Sequence, residues 1–76
     1  MLKLFKKAFW VTYEDSTVYP TVEKAHQAIA KYCHENGHAY TFVDADEVVI
    51  DGVTHEIYRG LEPGSRGNYG IKCREK

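Results

Sequence analysis

The chain has 76 residues, 43% of them apolar and 28% charged, with 10 Lys and Arg against 11 Asp and Glu for a formal net charge of -1. That is room for one small domain with ordinary globular composition, which argues against disorder and against a second core. The charge balance excludes a wholly basic nucleic-acid-binding domain, and no apolar run approaches the roughly 18 residues of a membrane span.

Met1-Leu2-Lys3-Leu4-Phe5-Lys6-Lys7 has the basic start of a secretory signal. Ala8-Phe9-Trp10-Val11, the apolar stretch that follows, is far shorter than the roughly 7–15 residues such a signal needs. The expectation is a cytoplasmic chain. Leu2, Phe5 and Phe9, with Lys3, Lys6 and Lys7 between them, also have the spacing of a short amphipathic turn. Its alternative use is to cover the sheet, through Leu2, Leu4 and Phe5, or to bury against a second copy.

Residues 9–13 are aromatic and β-branched and predict a first strand, ended by Glu14-Asp15-Ser16-Thr17. Tyr19-Pro20-Thr21 sets up a helix start, with Thr21 as N-cap and Glu23 placed to favour the helix dipole. Val22, Ala25, Ile29, Tyr32 and Cys33 recur at helical spacing on one face, while Lys24, Gln27, Lys31 and Glu35 fall on the other. Asn36-Gly37 is a left-handed stop. Tyr40, Phe42 and Val43 mark a second strand and Val48-Val49-Ile50 a third, around a turn at Asp44-Ala45-Asp46. Asp51-Gly52 is a two-residue hairpin signal, because both positions need positive φ. A fourth strand follows over 53–59, with Val53, His55 and Ile57 on one face. Residues 60–67 predict a loop containing a Pro63-Gly64 type II turn, its flanking glycines loosening the base. Residues 68–74 predict a fifth strand, with Tyr69, Ile71 and Cys73 inward and Lys72 and Arg74 outward.

The order β-α-β-β-β-β implies an α+β two-layer sandwich, one helix packed on a mainly antiparallel five-stranded sheet. A right-handed crossover would carry the chain from strand one to a parallel strand two, and the hairpins would leave strand five antiparallel to strand one. Pairing of those two strands would bring the chain ends together. It matters because charge is partitioned: Lys3, Lys6 and Lys7 give the first 13 residues +3, residues 14–62 sum to -7, and residues 63–76 sum to +3.

Two stretches carry a resemblance. Val18-Tyr19-Pro20-Thr21 leading into Ala28-Ile29-Ala30-Lys31-Tyr32-Cys33-His34-Glu35-Asn36-Gly37, and Tyr69-Gly70-Ile71-Lys72-Cys73-Arg74-Glu75-Lys76, are similar to a small bacterial domain family of unknown function. The likeness spans most of the chain and implies no activity, cofactor or site residue.

Catalytic and metal chemistry find little support. Cys33, His34 and His38 cluster at the helix end with His26 two turns earlier, but His34 points away from its neighbour and His38 lies beyond the stop, unlike a tetrahedral zinc set. Asp44-Ala45-Asp46-Glu47 lacks the glycine and distal glutamate of a calcium loop. The two cysteines read as buried free thiols rather than a disulfide. Cys33 or Cys73 with His55 and Glu56 is a conceivable nucleophilic set, but neither cysteine has a local motif around it. No metal, cofactor or catalytic residue is expected.

The sequence therefore points to a non-enzymatic binding module that contacts a protein partner or a second copy. Its expected working surface is a basic-aromatic edge of Trp10, Tyr58, Arg59, Arg66, Tyr69, Lys72 and Arg74. Binding of RNA or single-stranded DNA on that same surface is the alternative, and a small enzyme comes third. The competing reading of the cations is that they solubilise the chain ends and guard an edge strand against aggregation. The exposed, glycine-hinged loop at 60–67, with Arg66, is a further candidate by position alone.

Overall fold

A computed structural model describes residues 7–11, 13–64 and 66–76. Five strands, β1 (Ala8–Val11), β2 (Tyr40–Asp44), β3 (Glu47–Ile50), β4 (Val53–Leu61) and β5 (Tyr69–Glu75), form one antiparallel sheet, and α1 (Val22–Glu35) lies between β1 and β2 in the chain. The strand order is β1-β5-β4-β3-β2, so the first and last strands are neighbours and β1 and β2 occupy opposite edges. The two-layer α+β sandwich is as the sequence implies. Lys3, Lys6, Leu2, Leu4 and Phe5, and with them the amphipathic N-terminal turn, lie outside the described residues.

Helix α1 is delimited by its own sequence. The Thr21 hydroxyl accepts a hydrogen bond from the Lys24 N–H at 3.1 Å, satisfying one of the donors a helix start leaves open. At the other end Gly37, at φ 72, turns the chain so that the His38 N–H reaches the Cys33 carbonyl at 2.8 Å and the Gly37 N–H reaches that of His34 at 3.4 Å. These two bonds are the signature of a Schellman stop, which positive φ at this residue makes possible. The helix buries Ala25, Ile29 and Cys33 completely, against Val11, Val48, Ile50, Ile57, Ile71 and Cys73 of the sheet. Each fully buried Ile contributes about 1.5–3 kcal/mol by removal from water. Phe9, Tyr32 and Phe42 rim this core: Phe9 stacks on Tyr32 at 5.0 Å, and Phe42 on His26 at 4.0 Å.

Several strand boundaries differ from expectation. β1 ends at Val11, and Tyr13 lies outside it, where its hydroxyl donates to the Val18 carbonyl. β4 runs on to Leu61, so Gly60 and Leu61 belong to the ladder and not to a loop; Gly60 pairs with Gly70, and Leu61 with Tyr69. β5 correspondingly begins at Tyr69 and continues to Glu75. The connection that remains is a tight one, closed by the Glu62 N–H on the Asn68 carbonyl at 2.9 Å. Among the described residues no helix is long and apolar enough to cross a membrane.

The β3–β4 hairpin turns at Asp51 (φ 50) and Gly52 (φ 81), both left-handed as a type I′ turn demands. Asp51 also ties the turn to the end of the helix. Its carboxylate accepts the Ala39 N–H at 2.9 Å and the His38 Nδ1–H at 2.6 Å. A carboxylate only accepts, so Nδ1 is the protonated ring nitrogen here. The amide bond first, and the His38 bond second, hold the Asp51 carboxyl below its usual value. A carboxyl depressed in the folded state adds stability at neutral pH, and that increment is lost as pH falls below the unfolded value of about 3.9 and through the folded one. Asp51→Asn keeps the left-handed turn and an acceptor for Ala39 while removing the charge. We expect it to lower stability near pH 7 and to equal the parent near pH 2, as read by urea unfolding across pH; a constant difference would refute the linkage.

Candidate functional site

Helix α1 covers one face of the sheet and leaves the other without a covering layer among the described residues. Which residues occupy that open face follows from alternation along each strand. On β5, Ile71 and Cys73 are fully buried under the helix, which sends Gly70, Lys72 and Arg74 to the open side. The register carries the same parity outward: Lys72 faces Trp10 on β1 and Tyr58 on β4, and Arg74 faces Glu56.

Trp10 and Tyr58 do not stand off the sheet. They lean toward each other over the Gly60–Gly70 pair and meet edge to face, with centroids 6.1 Å apart and an interplanar angle of 86°. The absence of two Cβ atoms makes this possible. A Cβ on Gly70 would lie 3.0 Å from Cζ3 of Trp10, and one on Gly60 would strike the Tyr58 hydroxyl and stand 2.7 Å from its Cζ. The Tyr58 hydroxyl donates to the Leu61 carbonyl at 3.3 Å, which fixes the ring along the strand. Edge-to-face contact is a preferred arrangement of aromatic pairs, worth about 0.5–1.5 kcal/mol beyond area burial.

Around the rings lies a cleft of about 240 Å³, lined by Trp10, Glu56, Tyr58, Leu61, Pro63, Lys72 and Arg74. The Lys72 ammonium sits 5.6 Å from the Trp10 ring centroid, a cation–π contact. Arg74 makes a long, exposed ion pair with Glu56 at 3.9 Å, and Lys76 pairs with Glu47. The open face is therefore aromatic with charges of both signs, rather than uniformly basic.

The expected surface is thus divided. Trp10, Tyr58, Lys72 and Arg74 come together. Arg59 and Tyr69 do not join them, because each lies one residue from an open-face position and so points to the helix side. The Arg59 guanidinium donates to the Pro20 carbonyl at 3.2 Å, lies 3.7 Å from the Asp46 carboxylate and rests over the Tyr19 ring. Tyr19 in turn donates from its hydroxyl to the Arg59 carbonyl and meets Tyr69 edge on at 5.4 Å. Pro20 is fully buried. Arg59, Tyr69, Tyr19 and Pro20 together fasten the entry of α1 to the sheet. Arg66 is exposed in the β4–β5 connection at φ 59, away from the cleft lining. Glu56, Gly60, Leu61, Pro63 and Gly70, none of them part of the expected surface, line or underlie the cleft, and Gly60, Leu61 and Pro63 come from the 60–67 stretch that position alone singles out.

Other concavities lie among the described residues. One, of about 310 Å³, runs between α1 and the segment after β1, where Lys24 is paired with Asp15 and Lys31 with Glu14. Another, of about 330 Å³, lies at the end of β1 beside Ser16, Asn68 and Tyr69.

The cysteines and histidines are dispersed. Cys33 and Cys73 are free thiols at the core. Burial raises both pKa values, that of Cys73 to about 12. His26 donates from Nε2 to the Ala45 carbonyl, His38 is bound to Asp51, and buried His55 donates from Nδ1 to the Val53 carbonyl at 2.8 Å. Among the described residues no three His, Cys, Asp or Glu side chains converge as metal ligands.

Comparison with protein-family models, with curated proteins and with solved structures finds no match for this chain. The site has to be read from its own geometry.

The division between clamp and cleft has a measurable consequence. Arg59→Ala removes a hydrogen bond from a charged donor, a class worth about 1.5–3 kcal/mol, and should lower unfolding free energy by about that much. Lys72→Ala, on the open face, gives up only its contact with the Trp10 ring and should change it by less than about 1 kcal/mol. Urea denaturation of the two variants checks this, and equal losses would contradict the assignment.

Proposed function

We propose that the chain is a non-catalytic binding module that contacts a protein partner, a second copy of itself included, through the open face of its sheet. The observation that carries this reading is the pair of rings held over Gly60 and Gly70. Trp and Tyr are the residues that most often dominate binding energy at protein interfaces, and here both are partly exposed on a face that no layer of the described residues covers. Leu61 and Pro63 at the rim extend the apolar surface, and Glu56, Lys72 and Arg74 supply the polar border such interfaces have.

What supports the non-catalytic part is the state of the thiols. A cysteine acts as a nucleophile as the thiolate, and burial keeps both cysteines protonated at neutral pH. Two buried free thiols also suit a reducing compartment, in keeping with a cytoplasmic chain.

Single-stranded RNA or DNA is the second reading, favoured by the proximity of Lys72 to exposed aromatic surface, on which bases can stack. Glu56 and Glu47 count against it. They lie against Arg74 and Lys76 and would stand beside the phosphates of a bound strand, where a nucleic-acid groove needs a run of cations to replace counterions.

Photo-crosslinking in the native cell separates the two. A benzoylphenylalanine at position 58 should yield covalent protein adducts, whereas the same group at the exposed helix position 27 should not. Nucleic-acid adducts at position 58, or equal yields at both positions, would overturn the proposal.

A further inference from the structure

The cleft on the open face has a chemistry that narrows its occupant. Its volume of about 240 Å³ is below the roughly 300–1,000 Å³ of small-molecule sites, and it is open on one side. It is the size for a side chain presented by a larger molecule. Its floor and walls are apolar, from Trp10, Tyr58 and Pro63, and suit a ring or a branched aliphatic group.

The charges around it are not symmetric. The acids Glu56 and Glu47 stand on β4 and β3, while the cations Lys72 and Arg74 stand on β5. Glu47 is held by Lys76 and Glu56 lies against Arg74. Lys72 has no carboxylate within ion-pair distance among the described residues, and its recorded contact is with the Trp10 ring. The Arg74–Glu56 pair at 3.9 Å is exposed, and pairs of that kind hold weakly. An apolar group seated between the rings therefore lies next to one uncompensated ammonium and one loosely held guanidinium, both on the β5 side.

We infer that the cleft between Trp10 and Tyr58 receives an acidic peptide segment, which places an aromatic or proline side chain against the two rings and a neighbouring carboxylate on Lys72. This rests on the reading of the open face as a protein-contact surface and names the chemistry of the partner. Burial of the apolar side chain supplies most of the affinity. The carboxylate sets its direction across the sheet, because reversing the peptide would bring the acid against Glu56. A basic peptide meets Lys72 and Arg74 and is repelled. A nucleic-acid strand finds one uncompensated cation where it needs several, with Glu47 and Glu56 beside its next phosphates.

Trp10 is the sole tryptophan of the chain, so its fluorescence reports on the cleft directly. Four probes decide: a blocked peptide of one phenylalanine flanked by glutamates, its lysine-flanked counterpart, a glutamate peptide with glycine in place of the phenylalanine, and an oligodeoxythymidine. The expected result is a Trp10 emission shift on titration with the first, at least tenfold tighter than with the second or third. Lys72→Glu should abolish that preference while leaving the far-ultraviolet circular dichroism unchanged. Equal or tighter binding of the lysine-flanked peptide overturns the inference and leaves the protein-contact reading standing. Tighter binding of the oligonucleotide overturns both. No response to any probe overturns the inference alone, since adducts from position 58 test the wider reading independently.

Discussion

The antiparallel docking of β5 between β1 and β4 is the constraint on which the other features depend. It joins the two ends of the chain in one sheet, Trp10 opposite Lys72 and Lys72 opposite Tyr58. It also decides which side chains are core and which are surface. Ile71 and Cys73 go under α1, and Gly70, Lys72 and Arg74 go to the open face. A slip of one residue in this strand would exchange the two sets, exposing two fully buried apolar residues and burying two cations. The buried face pins the register, and the composition of the open face follows from it.

The open face then depends on what β4 and β5 lack. Glycine within a strand costs about 0.5–1 kcal/mol relative to alanine, and here two glycines face each other across the ladder. The offset comes from Tyr58 and Trp10, which cover the bared backbone and contact each other. The exchange leaves an edge-to-face aromatic pair on the sheet with a shallow cleft beside it. On the opposite face the same strands do the reverse work. Arg59 and Tyr69, each next to an open-face residue, turn inward to hold Pro20 and Tyr19 and so set where the helix begins.

Much of this was legible before any coordinates. Thr21 and Gly37 bound the helix, Asp51-Gly52 turns a hairpin, and counting hairpins makes strand five antiparallel to strand one, while their adjacency comes from the sheet order itself. Four members of the expected surface, Trp10, Tyr58, Lys72 and Arg74, do lie together. The misplacements have a plain cause. Tyr58 and Arg59 are consecutive in a strand and must face opposite ways, so alternation from buried Ile57 already sends Arg59 inward. Tyr69 shares the inward side with Ile71 and Cys73, so alternation keeps it off the open face as well. Gly60 was harder. Beside Pro63 and Gly64 it has loop composition, and only a ring lying over it explains glycine in mid-strand. The pairing of Arg74 and Lys76 with Glu56 and Glu47 was also hidden, since charge summed along the chain says nothing about which acids cross strands to meet which bases.

The central claim is that two aromatic rings, meeting edge to face, lie over a glycine pair on the side of the sheet that no described residue covers. Proton NMR tests it most directly, through the α-protons of Gly60 and Gly70. The account predicts nuclear Overhauser contacts from the Trp10 indole to Gly70 and from the Tyr58 ring to Gly60, with both glycine signals displaced by the ring currents. Glycine α-protons at unperturbed shifts, with the Trp10 indole in contact with Ile29 or Ala25 of the helix instead, would contradict it.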